Sequence, residues 1–203
     1  IRAGAFGLVG SEMCIRDRVV GVLWDAVGVA EWMWEVAGQL NTEQQLILDG
    51  LAAILGRLDL PQLDIGASST VVDASGLHVK LIHRSRPDLS FDVNSPGNGE
   101  VFVFYGQEEQ HFRSQDRTDG RVWPFPSEDH VEATLSMIEG LLSGRIELQV
   151  WKRPLATKSR TFWINQYGER ELVVRSGTVG LFLGWSRQPE VYRFDFTAPI
   201  SGV

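Results

Sequence analysis

The sequence predicts an α+β fold: N-terminal helices, then a mostly antiparallel sheet of about seven to nine strands interrupted by one helix near 127–143. Three observations predict it. Apolar residues recur at spacings of three and four over 42–58 and again over 127–143, the period of a helix face. From Thr70 onward the period elsewhere is two, that of a half-buried strand. The strands come in runs rather than alternating with helices, which segregates helices from an antiparallel sheet.

Taken in order, 19–40 is the most apolar stretch and reads as a helix packed on the domain or on a partner. It is as long as a membrane span, but Asp25, Glu31 and Glu35 interrupt it, and each acid near a span's centre costs about 2.5–3.5 kcal/mol. No membrane span is therefore expected. Asn41 or Thr42 caps a helix over 42–58, with Gln44 or Gln45 completing the cap. Gly56 and Pro61 close it, and 61–69 reads as a linker. Alternation then marks Leu77, Val79 and Leu81; Leu89, Phe91 and Val93; and Val101, Val103 and Tyr105. Phe102 and Phe104 make the last of these strands apolar on both faces, so cover on both sides is expected. A short strand over 109–113 follows. Ser127 caps the second helix, whose stripe is Val131, Leu135, Ile138 and Leu142, with Gly144 as its stop. Strands at 146–150, 162–164, 172–174, 181–183 and 191–196 complete the domain, expected to span 70–197 behind a helical segment at 19–60.

Residues 7–18 read GLVGSEMCIRDR. This stretch resembles a translated transposase-type sequencing adaptor rather than a protein motif, so 1–18 is expected not to be native protein. The native chain is then expected to start at or after Val19, with Met33 as an alternative start. Setting 1–18 aside removes Arg2, Arg16 and Arg18 against Glu12 and Asp17, and removes the lone cysteine, Cys14.

Composition bounds the function. A net charge of −7 over 203 residues disfavours nucleic-acid binding driven by whole-chain charge. Seven Trp and ten Phe argue against disorder. One cysteine excludes a disulfide framework and a cysteine-based zinc site. The phosphate-cradling loop, the nucleophile elbow, HExxH and the EF-hand loop are all absent from the sequence.

Two weaker elements lack their complements. His83-Arg84-Ser85 fits one of the two H-x-[ST] elements of two-histidine phosphoesterases, and no second follows. Gln107-Glu108-Glu109 fits the [QE]-x-E element of ADP-ribosyltransferases without the supporting arginine and Ser-Thr-Ser elements. Neither a metal nor a cofactor is expected.

Three functions remain. The first is a small, soluble, cytoplasmic, acidic binding module, an inhibitor of the immunity-protein type by analogy of character, acting by protein–protein contact. Its candidate residues lie in the only basic region, 145–163: Arg145, Trp151, Lys152, Arg153 and Trp163. Trp and Arg dominate contact energies at protein interfaces. On that strand Glu147, Gln149, Trp151 and Arg153 share one face. The second is an enzyme or small-ligand protein with a polar site at strand ends, built on His83, Asp92 and Glu109. The third is single-stranded nucleic-acid binding through 145–163, where cations and aromatics interleave.

Overall fold

The computed structural model describes residues 35–36, 39–114, 129–153, 156–177 and 188–199, with the backbone alone at 35, 36, 153, 156 and 177. These residues all fall within the unit Trp32–Val203. The adaptor-like segment, the expected strand at 181–183 and nearly all of the expected helix at 19–40 lie outside them.

Strand β1 is the two-residue Glu35–Val36, and helix α1 is Thr42–Arg57. Then come β2 (Ser69–Asp73), β3 (Gly76–Leu81), a 3₁₀ turn (Pro87–Leu89), β4 (Phe91–Ser95), β5 (Glu100–Tyr105) and β6 (Glu108–Arg113). Helix α2 (His130–Leu142) runs directly into β7 (Ser143–Arg153), followed by β8 (Ala156–Ile164), β9 (Arg170–Gly177) and β10 (Glu190–Asp195).

The α+β class holds, but the single sheet does not. Strands β2 to β6 form an antiparallel meander, with β1 added parallel at the β2 edge. Strands β10-β7-β8-β9 form a second antiparallel sheet. The reason lies in β7: both of its edges are taken, by β8 and β10, so it has none to offer β6. At Glu35–Val36 the expected helix is also replaced, because these residues pair with Val71 and Val72.

Local chemistry explains the boundaries. Asn41 Oδ1 accepts the Gln44 N–H at 2.9 Å and Gln44 Oε1 accepts the Asn41 N–H at 3.1 Å, a reciprocal cap. The helix then runs through Gly56 rather than stopping there. Asp129, not Ser127, caps α2: its Oδ1 accepts the Val131 and Glu132 N–H groups. Ser127 itself lies outside the described residues. Pro87 takes Leu89 into a 3₁₀ turn, so β4 begins at Phe91. Strand β2 begins at Ser69, the last residue of the expected linker. Thr70 and Val72 are buried in it, and the exposed Val71 masks the alternation.

The core forms where both sheets meet α2. Ala133, Met137, Ile138, Leu141 and Leu142 of α2 are fully buried. The first sheet contributes Leu77, Val79, Leu81, Phe91, Val93, Val101, Val103 and Tyr105; the second contributes Ile146, Leu148, Val150 and Phe194. Tyr105 joins the sheets. Its ring meets Phe194 edge-on at 5.7 Å, and its hydroxyl is 2.9 Å from Thr161 Oγ1. Burial pushes the Tyr105 phenol well above its ordinary range.

On the other face of β5, Phe102 stacks on His111 at 4.1 Å and on Phe104 at 6.3 Å. Phe104 is 38% exposed, so the expected cover on that side is partial.

Gly140 faces the Trp163 ring, and a Cβ there would clash with Trp163 and lie 3.2 Å from Ile146. Intrinsic propensity favours alanine over glycine by about 1 kcal/mol. Overpacking costs about 1–3 kcal/mol and should win. Gly140→Ala is therefore expected to lower the urea midpoint; an unchanged or raised midpoint would show that this contact is not tight.

Candidate functional site

The enzyme candidates do not assemble. His83 extends the buried row of β3 and lies in the core, where its ring meets Phe196 at 4.8 Å. Nδ1 accepts the Arg86 N–H at 3.2 Å. Nε2 therefore carries the proton and faces the Asp195 carbonyl at 3.2 Å. Both ring nitrogens are satisfied in the neutral form, and burial pushes the imidazole pKa down. Asp92 and Glu109 lie on the other face of the sheet, each paired with Phe104 from opposite sides. Burial pushes the Asp92 carboxyl up, with Lys80 opposing. A satisfied core imidazole on one face and two carboxylates flanking a phenyl ring on the other make no acid–base pair. His130 bonds Glu43 at 3.0 Å and ties the N-termini of the two helices. Among the described residues no group of three or more His, Cys, Asp or Glu side chains could hold a metal.

The expected binding set is divided by the two-residue period of its strands. Trp151 faces away from α2, opposite Lys158. Lys152 points to the other side, where it bonds Glu190 at 2.7 Å. Trp163 pairs with Ile146 and packs on α2 against Gly140. Arg145 reaches toward the Trp163 ring, 6.0 Å from its centre. Arg153 pairs with Ala156 at the strand's end, and its side chain lies outside the described residues.

Tertiary pairing gives Trp151 different neighbours. Lys158 and Arg160 of β8 approach its ring at 5.4 and 5.6 Å. Arg160 lies directly opposite Arg175 of β9. Glu147, two rungs along β7, pairs with Phe162 on one side and Arg193 on the other. Its side chain is only 1% exposed, and its Oε2 accepts one N–H from Arg170 at 3.0 Å and one from Arg193 at 3.2 Å. Its Oε1 accepts from Gln149 at 2.9 Å. Burial pushes the Glu147 carboxyl up, but the Gln149 hydrogen bond and the two guanidinium groups outweigh it and hold the pKa below the ordinary value.

Around Glu147 and Trp151, this outer face thus gathers Lys158, Arg160, Arg170, Arg175 and Arg193. Leu172 and Val191 flank them, 38% and 53% exposed. Arg170, Arg175 and Arg193 are invisible to a search of 145–163. Only the registers of β8 with β9 and of β7 with β10 bring them in. The one available signal was that Val191 and Arg193 share a strand face.

No family model, no curated protein and no solved structure matches the chain.

The buried groups set the pH response. His83 has a lowered pKa, so its contribution to stability is complete above the unfolded value of about 6.5 and is lost as pH falls below it. Glu147, also lowered, contributes above the unfolded carboxylate value and loses that contribution as pH falls through its folded value. Melting temperature is therefore expected to decline in two stages on acidification. His83→Gln should flatten the first stage and Glu147→Gln the second, as read by calorimetry across pH. A single stage untouched by either substitution would contradict this assignment.

Proposed function

We propose that the protein is a small acidic binding module that acts by protein–protein contact, in the manner of an inhibitor or immunity-like protein, through the outer face of its second sheet. One observation carries this reading. A tryptophan, several arginines and two exposed aliphatic side chains share one side of a four-stranded sheet whose other side packs on α2 through β7 and β10. Tryptophan and arginine are the residues that most often supply contact energy at protein interfaces. A sheet face fixed by pairing on both sides of β7 presents them with little ordering cost. The scattered positions of His83, Asp92 and Glu109 add weight against catalysis by that set. No helix among the described residues is long and apolar enough to cross a membrane. The proposal includes a cytoplasmic location, which fractionation of cells making the tagged protein checks.

Quantitative affinity capture tests the surface. Wild type, Trp151→Ala and Lys152→Glu should all fold, as judged by circular dichroism. A partner protein retained by wild type and Lys152→Glu, but weakened by about 2 kcal/mol or more in Trp151→Ala, is the expected result. Identical capture by all three would reject the outer face.

A further inference from the structure

We infer that the partner of this face is an acidic protein segment, and that Arg170 and Arg193 form the cradle that receives its carboxylates. This rests on the contact reading above. The two arginines come from the outermost strands, β9 and β10, and converge on a single oxygen of Glu147. The two guanidinium groups therefore lie side by side, held from beneath by a buried carboxylate. Each guanidinium carries five N–H donors in a planar fork, and Glu147 takes one from each. Both side chains remain about half exposed, at 52% and 54%. A carboxylate from a second molecule can accept from the outward donors while Glu147 keeps the inward ones.

The surrounding charge points the same way. Arg160 and Arg175 face each other directly across β8 and β9. Like charges directly opposite are destabilising in an antiparallel pair. Lys158 adds a third cation to the group, and it and Arg160 lie over the Trp151 ring. The Arg160 Nε is buried without a hydrogen-bond partner. An arriving anion relieves this repulsion, which is where the binding energy of a charge-complementary partner would come from.

Two features favour protein over single-stranded nucleic acid. Base stacking needs an open aromatic face, and cations already sit over the Trp151 ring at 5.4 and 5.6 Å. Leu172 and Val191, at the flanks, offer aliphatic contact suited to side chains.

Fluorescence anisotropy with a labelled oligoglutamate tests the inference, beside an oligothymidylate of equal charge. Oligoglutamate should bind in a salt-dependent manner. Arg170→Glu/Arg193→Glu should weaken it at least about tenfold, and Lys152→Glu, on the other side of the sheet, should leave it unchanged. Arg170→Lys/Arg193→Lys keeps the charge but removes the fork. An intermediate loss in that variant supports the cradle and guards against misfolding of the reversed one. Absent oligoglutamate binding, equal loss in Lys152→Glu, or tighter oligothymidylate binding abolished by Trp151→Ala would each overturn it. If captured protein depends on Trp151 yet oligoglutamate does not bind, the acidic-partner inference alone falls. If capture is indifferent to Trp151, the contact reading falls with it.

Discussion

Each sheet has one face that must be kept from water, and α2 packs against both sheets. Its side chains at 133, 137, 138, 141 and 142 have no exposed surface, and it touches β5, β6, β7 and β10. Burying a methionine, isoleucine or leucine side chain is worth about 1.5–3 kcal/mol, and this one helix is the common element of the hydrophobic core. Its junction with β7 allows no slack. The strand begins at Ser143, immediately after the helix, with Gly144 at φ 75° making the change of direction. That junction orients β7, and β7 orients the second sheet, because β8 and β10 both pair with it. The outer face carrying Trp151 and the arginines is therefore the reverse side of the packing on α2.

Polar groups drawn into this arrangement are paired in ways that also define it. The Tyr105 hydroxyl meets Thr161 across the two sheets, and Ser159 donates to Glu108. His83 ties the segment after β3 to the end of β10, where Gln62 and Phe196 also bond through their backbones. Glu147 belongs to the same pattern but with a surplus, since one carboxylate meets two arginines. Removing a partner from a buried charge is costly. Yet the arginines are not buried, and they keep donors for other use. That combination, a fixed anion beneath two exposed cations, separates this spot from an ordinary surface ion pair.

Several features were legible in the residues alone because they depend on near neighbours. The Asn41–Gln44 cap needs only residues three apart, and it forms as expected. The stripes of both helices and the alternation of β3, β5 and β7 are likewise local. What misled was also local. Val71 and Val72 together disguise a strand that is half exposed. Leu89 keeps the parity of β4 but is drawn into a turn by Pro87. Trp151 and Trp163 look like one aromatic cluster in a short basic stretch, yet pairing of β7 with β8 sets them on opposite sides.

By itself the sequence determined the α+β class, the positions of α1 and α2, the Asn41 cap of α1, most strand periods and the acidic balance, because each follows from propensity, periodicity or composition within a short window. Only the tertiary structure decided that there are two sheets, that His83 is a satisfied core residue, and that Arg170, Arg175 and Arg193 join Trp151. Those outcomes depend on which strand edges are already occupied and on register between segments far apart in the chain. A one-residue change of register would send each of these side chains to the other face, and no short window of sequence specifies that register.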